Sequence, residues 1–284
     1  MQKYTIKDFE TEFTNDDSCL EWIKNLRWPD GIECPECEKV TKHHRVTGRS
    51  CYACDYCGHQ VFPTAGTIFH KSSTPLRVWF RAIYQMATTR CGISAKQIQR
   101  ETGVTYKTAW RMFKQIRTLL NEDTGFMSGK IEADETYIGG RRQGKRGRGA
   151  AGKTIVAGVV QRKAKVSASV VPDVKSATLL PMIQEKALAG STIYTDEMPS
   201  YNRLERMGYA HGTIHHANKV YVNGDIHTNT IDGFWSLVKR GIVGVYHSVS
   251  PDYLQSYVNE YSFRYNHRND EQAMFRTFLD RISD

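Results

Sequence analysis

The second half of the chain shows hydrophobic patterns of two kinds, which alternate along the sequence. Four short runs have the composition and spacing of strands, at 130–138, 154–160, 166–171 and 191–196. Residues 177–188 and 227–240 instead follow the helical period, and the tail from 253 to 278 carries aromatic side chains at helical spacing, which indicates core. This mixed order predicts an α/β or α+β domain.

The first half has shorter patterns. Asp16, Asp17 and Ser18 indicate the start of an amphipathic helix that ends at Pro29–Asp30–Gly31. From Thr74 to about Leu120 the pattern is helical. Ser94 with Gln97 three residues later opens one helix, Gly103 makes a turn, and Thr105 can cap a second helix. In that second helix one apolar stripe is expected, formed by Ala109, Phe113, Ile116 and Leu120.

These shifts in pattern predict four segments. Residues 1–30 form an N-terminal helical segment, and 31–70 form a cysteine-rich module. Residues 71–124 form a helix-turn-helix region, and after a linker-like stretch the remainder, 125–284, forms the largest domain. A chain of 284 residues is long enough for one core of ordinary size and two small modules.

Two cysteine pairs with two-residue spacers lie in the second segment. They are Cys34 with Cys37 and Cys54 with Cys57, and 16 residues separate the pairs. Each pair can sit on a tight knuckle turn that presents thiolates to a tetrahedral Zn²⁺. Buried free thiols or a redox pair are the alternatives, and neither explains two matched pairs. The sequence therefore predicts a zinc ribbon whose metal supplies much of its folding energy.

The second helix of the helix-turn-helix region carries a polar face away from its apolar stripe. Tyr106, Lys107, Arg111 and Lys114 lie on that face and could reach base edges or phosphates in a major groove. A plain helical hairpin with a solvated basic face is the alternative, because such charged faces are common.

The net charge of +9 and the pI near 9.1 indicate a polyanionic partner, either nucleic acid or a membrane surface. The sequence contains no apolar run long enough for a transmembrane helix and no signal-peptide core near its start, so we expect a cytoplasmic, nucleoid-associated protein. A glycine-rich basic loop, 139–153, could wrap DNA phosphates or could simply be solvated. Its candidate DNA contacts are Arg141, Arg142, Lys145, Arg146 and Arg148.

Three acids occupy positions suited to metal chemistry. Asp134 lies within the first strand, Asp196 ends the fourth, and Asp232 lies on a helix. On that helix Asn229, Asp232, Ser236 and Lys239 share a polar face. Phosphodiester cleavage uses two Mg²⁺ ions roughly 3.5–4 Å apart, which carboxylate oxygens bind well. Any one of these acids could by itself be a solvated surface charge, but their placement on two strands and a helix predicts a shared magnesium site.

Several motifs together resemble those of the ISXO-like insertion-sequence transposases. They are ADETYIGG at 133–140, HTNTIDGFW at 227–235 and YVNEYSFRYN at 257–266, preceded by RWPDG at 27–31, the cysteine pairs and AGTIFH at 65–70. The resemblance covers nearly the whole chain in the family's order. It implies a ribonuclease-H-like mixed sheet with flanking helices, which follows the zinc ribbon and the helix-turn-helix.

The same resemblance implies a catalytic triad of the DDE type with Mg²⁺ or Mn²⁺ as cofactor. Asp134 and Asp196 match its first two acids, and Asp232 matches the third, where similar sequences usually have glutamate. Lys239, two helical turns later, matches a lysine that could hold a DNA phosphate, and Asn229 is an alternative third ligand because some relatives use asparagine. The implied partners are double-stranded DNA, as element ends and as target, and further copies of the chain in a homodimer or higher multimer.

Three functions are therefore consistent with the sequence. The leading hypothesis is a transposase that binds the terminal inverted repeats of its element, cleaves DNA and transfers strands. One rival is a DNA-binding transcription regulator that uses a nuclease-like scaffold, and the other is a structure-specific nuclease without strand transfer.

Overall fold

The structure is a computed structural model that describes residues 4–139, 152–214 and 224–283. The chain forms two compact units. The first contains residues 1–119 and 270–284, and the second contains residues 120–269.

The first unit begins with two capped helices, α1 (Ile6–Glu12) and α2 (Asp16–Arg27). Five strands of two or three residues follow: β1 (Glu33–Cys34), β2 (Lys39–Val40), β3 (His43–Arg45), β4 (Tyr52–Cys54) and β5 (Gln60–Val61). They form an antiparallel β1–β2 pair and an antiparallel sheet in the order β3–β4–β5. Such short strands bury little apolar surface, so this segment requires another source of stability.

Three helices complete the front of the first unit: α3 (Leu76–Thr88), α4 (Ala95–Thr102) and α5 (Tyr106–Thr118). The predicted caps are confirmed, because the Ser94 hydroxyl accepts from the Gln97 amide and the Thr105 hydroxyl from the Thr108 amide. Gly103 has a φ of 74°, the left-handed conformation that ends α4 and turns the chain into α5. The residues of the predicted apolar stripe are buried: Ala109, Phe113 and Ile116 lie on α5, and Leu120 follows its end.

The second unit is built on a five-stranded mixed sheet in the order β10–β9–β6–β7–β8. Its strands are β6 (Lys130–Ile138), β7 (Thr154–Gln161), β8 (Val166–Val171), β9 (Thr192–Asp196) and β10 (Ala210–Ile214). β6, β7 and β8 are successively antiparallel, whereas β9 pairs parallel to β6 and β10 parallel to β9.

Helices cover both faces of this sheet. They are α6 (Ser176–Lys186), α7 (Asn229–Gly241) and α8 (Pro251–Asn266), and a π-helical turn (Ile242–Tyr246) follows α7. Alternate residues of β7 divide between two cores: Ala157 and Val159 pack with α6, while Val156 and Val160 pack with α7 and α8. The predicted α/β class, with a mixed sheet flanked by helices, is confirmed.

The last helix, α9 (Met274–Asp280), belongs to the first unit. Phe275 contacts Phe9 and Phe13 with ring centroids 5.9 and 6.0 Å apart, and Arg276 forms an ion pair with Glu12. These residues form an aromatic core for the helical part of that unit. Among the helices that the structure describes, none combines the length and apolar composition that a membrane span requires.

Candidate active site and zinc centre

Two adjacent parallel strands bring the first two predicted acids together. Glu132 on β6 is in register with Tyr194 on β9, and Asp134 and Asp196 each lie two residues further along their strands. Side chains two residues apart share a face, so the two aspartates emerge side by side. β9 ends at Asp196, whereas β6 continues to Ile138. Asp134 and Asp196 therefore lie close to the point where β6 extends beyond the end of β9.

A third carboxylate, which sequence reasoning did not single out, joins this pair. Oxygens of Asp134, Glu135 and Asp196 all lie within 4.8 Å of one another. Strand alternation directs Asp134 and Glu135 to opposite faces, and Glu135 accepts a 3.2 Å hydrogen bond from the Tyr201 hydroxyl on the α6 side. Because β9 has already ended beside it, the Glu135 carboxylate can approach Asp134 around the free edge of β6.

Asp134 is the electrostatic centre of the site. Burial is the largest cause that raises its pKa, to about 8, and the negative charges of Glu135, Asp232 and Asp196 add to the effect. The Trp235 indole N–H donates a 3.0 Å hydrogen bond to Asp134 Oδ2. One oxygen of Asp134 is therefore held by the α7 side, and a cation next to this carboxyl group would favour its ionised form.

The indole reaches Asp134 through space that a glycine leaves open. Gly158 on β7 faces Asp134 on β6 in the antiparallel register. A Cβ at position 158 would lie 2.9 Å from a Trp235 ring carbon, which is too close for a side chain. Gly158 and Trp235 are thus residues of the site that no local sequence pattern indicated.

Tyr201 and Met198 anchor the other two acids from the segment after β9. The Met198 amide donates to Asp196 Oδ1 at 2.9 Å. Burial, followed by the negative charges of Glu135, Asp134 and Asp196, raises the pKa of Tyr201 well above its usual value. Tyr201 therefore remains protonated and keeps donating to Glu135.

α7 divides as the sequence predicted. Its polar face is exposed, namely Asn229, Asp232, Ser236 and Lys239, and its apolar face is buried, namely Ile231, Phe234, Trp235 and Val238. Asp232 and Lys239 line a cavity of about 600 Å³ together with Asp134. Three cations also line it: Lys239, Arg240 and Lys153. A cleft with acids at its base and cations beside them suits metal ions and a phosphate backbone.

The four predicted zinc ligands converge in the first unit. The sulfur atoms of Cys34 and Cys57 lie 3.5 Å apart, those of Cys37 and Cys54 lie 3.9 Å apart, and all four fall within 4.8 Å of one another. A tetrahedral Zn²⁺ with Zn–S bonds of about 2.3 Å separates its sulfurs by about 3.8 Å. The spacing of this group therefore fits zinc.

Two matching turns build the zinc centre. The amides of Glu38 and Gly58, each directly after the second cysteine of a pair, donate to the carbonyls of Cys34 and Cys54 at 2.8 and 2.9 Å. Both residues have positive φ, 52° and 74°, which closes each knuckle. A hydrogen bond from the Thr41 hydroxyl is the largest cause that lowers the pKa of Cys54, to about 6, whereas burial is the largest cause that raises the pKa of Cys37.

The predicted DNA-binding side chains of α5 are all exposed: Tyr106, Lys107, Arg111 and Lys114. Lys96 Nζ lies 4.9 Å from the centroid of the Tyr106 ring, and Arg111 donates to the Ser72 hydroxyl at 3.4 Å. The face is therefore basic and exposed to solvent. The loop candidates lie outside the described residues: Arg141, Arg142, Lys145, Arg146 and Arg148.

Comparison with known proteins identifies two family domains. Residues 126–266 match the ISXO2-like transposase domain, and residues 14–60 match the transposase zinc-ribbon domain. A chain of the simian T-cell lymphotropic virus intasome, determined by cryo-EM in complex with PP2A regulatory subunit B56 gamma, aligns over 65% of this chain and 70% of its own length. Its sequence identity is 13% and its TM-score 0.35, which is too low to support a conclusion about fold or function.

Two curated relatives come from mobile-element contexts. An uncharacterized protein in transposable element ISH50 of Halobacterium salinarum is 28% identical over 274 residues, which cover 89% of this chain and 91% of the relative. An uncharacterized transposase-like protein of Haemophilus influenzae is 36% identical over 109 residues, which cover 37% of this chain and 83% of the relative. With its acid-lined cleft and four-cysteine centre, this chain belongs to the ISXO2-like transposases.

Proposed function

We propose that this transposase binds the terminal inverted repeats of its insertion sequence, cleaves DNA there and joins the freed end to target DNA. Asp134, Asp196 and Asp232 hold two Mg²⁺ or Mn²⁺ ions in this proposal. The observation that carries it is the proximity of Asp134 and Asp196, whose oxygens lie within 4.8 Å of each other, with Asp232 on the wall of the same cleft as Asp134.

The bound ions supply the chemistry of activating a water or a 3′-hydroxyl and stabilising the leaving oxygen. The surrounding residues orient the carboxylates that would hold these ions and offset the charge of the DNA. The Trp235 N–H fixes one oxygen of Asp134, and the Met198 amide fixes one oxygen of Asp196. Lys239, with Arg240 and Lys153 on the same cleft, neutralises the phosphates of the bound strand.

Recognition of the element ends is assigned to the zinc ribbon, 31–70, and the helix-turn-helix region, 71–124, and catalysis to 125–284; residues 1–30 form an N-terminal helical segment that is given no DNA contact. The exposed basic face of α5 enters a major groove of the element end, in a helix-turn-helix formed by α4 and α5. The basic loop at 139–153 contacts phosphates on either side of the cleavage point. Two copies or more pair two DNA ends, because joining requires both ends of one element.

Strand transfer of pre-cut element ends tests the reaction class. The substrate is the inverted repeat that flanks the gene, incubated with the zinc-loaded protein and Mg²⁺ or Mn²⁺. Cleavage of uncut ends and joining of pre-cut ends are both expected. Specific binding without cleavage would indicate the regulator instead, and cleavage without joining would indicate the structure-specific nuclease.

The identity of the third metal ligand gives a separate prediction. Asp232→Ala should lower the cleavage rate about 100-fold or more, because a ligand of the metal pair is lost. Asp232→Glu should stay within about tenfold of the wild type, since the longer side chain keeps the carboxylate and the exposed helix face has room for it. Initial rates on a labelled element end measure both.

Two variants provide the comparison for Asp232. Glu135→Gln removes the carboxylate that lies with Asp134 and Asp196, and Asn229→Ala removes the amide one turn before Asp232. Both should cost less activity than Asp232→Ala. A larger loss in either variant would transfer the role of third ligand to that residue.

The basic face of α5 gives a prediction on binding. Lys107→Ala should weaken binding to the inverted repeat and reduce the slope of log K against log salt by about 1, because one phosphate contact is lost. Titration of labelled DNA at several salt concentrations measures the slope. Lys7→Ala removes an exposed lysine from α1 and serves as the charge-matched control. Equal slopes for Lys107→Ala and the wild type would remove this residue from the DNA interface.

A further inference from the structure

The geometry points to Glu132 as a positioning residue that clamps the start of α7 to β6 and thereby places Asp232 beside Asp134. Glu132 carries no chemistry in the reaction proposed above. The inference rests on that proposed function, because it assigns Glu132 a task only if Asp232 is a metal ligand.

Glu132 is a fully buried acid, with no exposed side-chain surface, two residues before Asp134 on the same face of β6. Its carboxylate reaches the first turn of α7. Oε2 accepts hydrogen bonds from the backbone amides of Thr230 and Ile231 at 2.8 and 2.9 Å, and Oε1 accepts from the Thr230 hydroxyl at 2.8 Å.

These contacts replace the cap that α7 lacks in its own sequence. The first amides of a helix have no partner within the helix, and a side chain just before it usually accepts from the second or third amide. Thr228 occupies that position in α7 but makes no such bond. Glu132 supplies the cap from a strand about a hundred residues earlier, and its negative charge also suits the positive end of the helix dipole.

The next residue of the helix is the proposed ligand. The Asp232 amide donates to the Thr228 carbonyl at 3.0 Å, so the regular helical ladder starts there. Glu132 holds the two amides directly before Asp232, and Asp134 is two residues after Glu132. A buried carboxylate therefore links the strand that carries Asp134 directly to the start of the helix that carries Asp232.

Arg162 compensates the buried charge and extends the clamp. Its Nε donates to Glu132 Oε1 at 2.7 Å, and its Nη2 donates to the His227 carbonyl at 2.8 Å. The guanidinium also lies 4.3 Å from the centroid of the Tyr194 ring. The segment that leads into α7 is thus tied to the same carboxylate, and removal of its charge would leave Arg162 without its anionic partner.

Glutamine cannot reproduce this arrangement. Both carboxylate oxygens of Glu132 accept hydrogen bonds, whereas a carboxamide has one accepting oxygen and a donating NH₂ group. In Glu132→Gln that NH₂ group faces either the helix amides or Arg162. The hydrogen bonds to whichever of these donors it faces are therefore lost. The predicted consequence is a displaced Asp232 and a weaker metal site in a folded protein.

A double-mutant cycle on Mn²⁺ affinity tests the inference. Mn²⁺ binding to the zinc-loaded protein is measured by electron paramagnetic resonance in the wild type, Glu132→Gln, Asp232→Ala and the double variant. Glu132→Gln should weaken Mn²⁺ binding roughly 10-fold, the usual cost of losing a partner that orients a ligand. In the Asp232→Ala background it should add almost nothing, because the residue through which it acts is gone.

Glu260→Gln is the matched control. Glu260 is equally buried and pairs with Arg264 at 2.8 Å within α8, so its loss has a similar electrostatic cost in the same unit. It should leave Mn²⁺ affinity unchanged. Should Glu132→Gln not fold, Thr230→Val removes only the hydroxyl contact and should give a smaller weakening with the same dependence on Asp232.

The outcomes distinguish a failure of the positioning role of Glu132 from a failure of the proposed metal site. If Asp232→Ala leaves Mn²⁺ affinity unchanged, Asp232 is not a ligand and the proposed site fails. If Asp232→Ala weakens binding and Glu132→Gln does not, or weakens it equally in both backgrounds, the positioning role of Glu132 is overturned.

Discussion

Replacement of Asp134 by asparagine is expected to reduce DNA cleavage and strand transfer about 1,000-fold or more, which corresponds to about 4 kcal/mol of transition-state stabilisation. Asparagine has nearly the same shape and can still accept from the Trp235 N–H. It is neutral, however, and its NH₂ group repels a cation. The effect is expected to be large because Asp134 lies among Glu135, Asp196 and Asp232.

The same substitution should not destabilise the protein. Without divalent cations, the folded protein holds the pKa of Asp134 near 8, above the ordinary value of 3.8. A raised carboxyl pKa means that the folded state binds the proton more tightly than the unfolded state, so this group costs stability progressively as pH rises from about 4 to 8. Asp134→Asn removes that cost and should flatten this part of the pH dependence.

Thermal unfolding of the zinc-loaded protein in magnesium-free buffer, at pH 6 and pH 8, measures the stability. The midpoint of Asp134→Asn should equal or exceed that of the wild type, with the larger difference at pH 8. Asp252→Asn changes an exposed acid in the first turn of α8 and should leave activity unchanged. Cleavage by Asp134→Asn within tenfold of the wild type would contradict the proposed metal site.

Loss of zinc is expected to unfold the ribbon. Binding of a structural zinc contributes about 10–16 kcal/mol in isolated zinc fingers, far more than strands of two or three residues can supply. We expect about one zinc per chain in the purified protein, because four thiolates complete one tetrahedral site. Cys34→Ser should lower the zinc content below half an equivalent and make the ribbon sensitive to proteases.

Two other cysteines provide controls for this experiment. Cys51 is buried within the same segment but lies outside the four-sulfur group, and Cys91 lies in the connection between α3 and α4. Cys51→Ala and Cys91→Ser should both retain the full zinc content. Elemental analysis and limited proteolysis give the two readouts, and full zinc content in Cys34→Ser would refute the assignment of ligands.

The residues that local patterns predicted well are those whose role depends on close neighbours in sequence. The caps at Ser94 and Thr105 and the two faces of α7 follow from helical spacing, and the structure confirms them. Strand alternation likewise indicated where Asp134 and Asp196 lie on their strands. The four domain boundaries and the roles of individual site residues stay predictions.

The residues that the sequence did not reveal act across long separations. Trp235 contacts Asp134, and Glu132 contacts Thr230, each across about a hundred residues. No periodic pattern encodes such a pair, because its distance depends on how the helix packs on the sheet. Glu135 is a different case: strand alternation directs it to the face opposite Asp134, but β9 ends early enough for its carboxylate to turn back towards Asp134.

Because α9 belongs to the first unit, that unit cannot complete its core until the end of the second unit has been synthesised. Phe275 and Phe278 complete a core whose other members, such as Phe9 and Phe13, leave the ribosome more than 250 residues earlier. The second unit has all of its strands and helices before α9 emerges. The catalytic unit can therefore fold first, although it comes later in the sequence, and the front unit acquires its full stability only when the tail has been made.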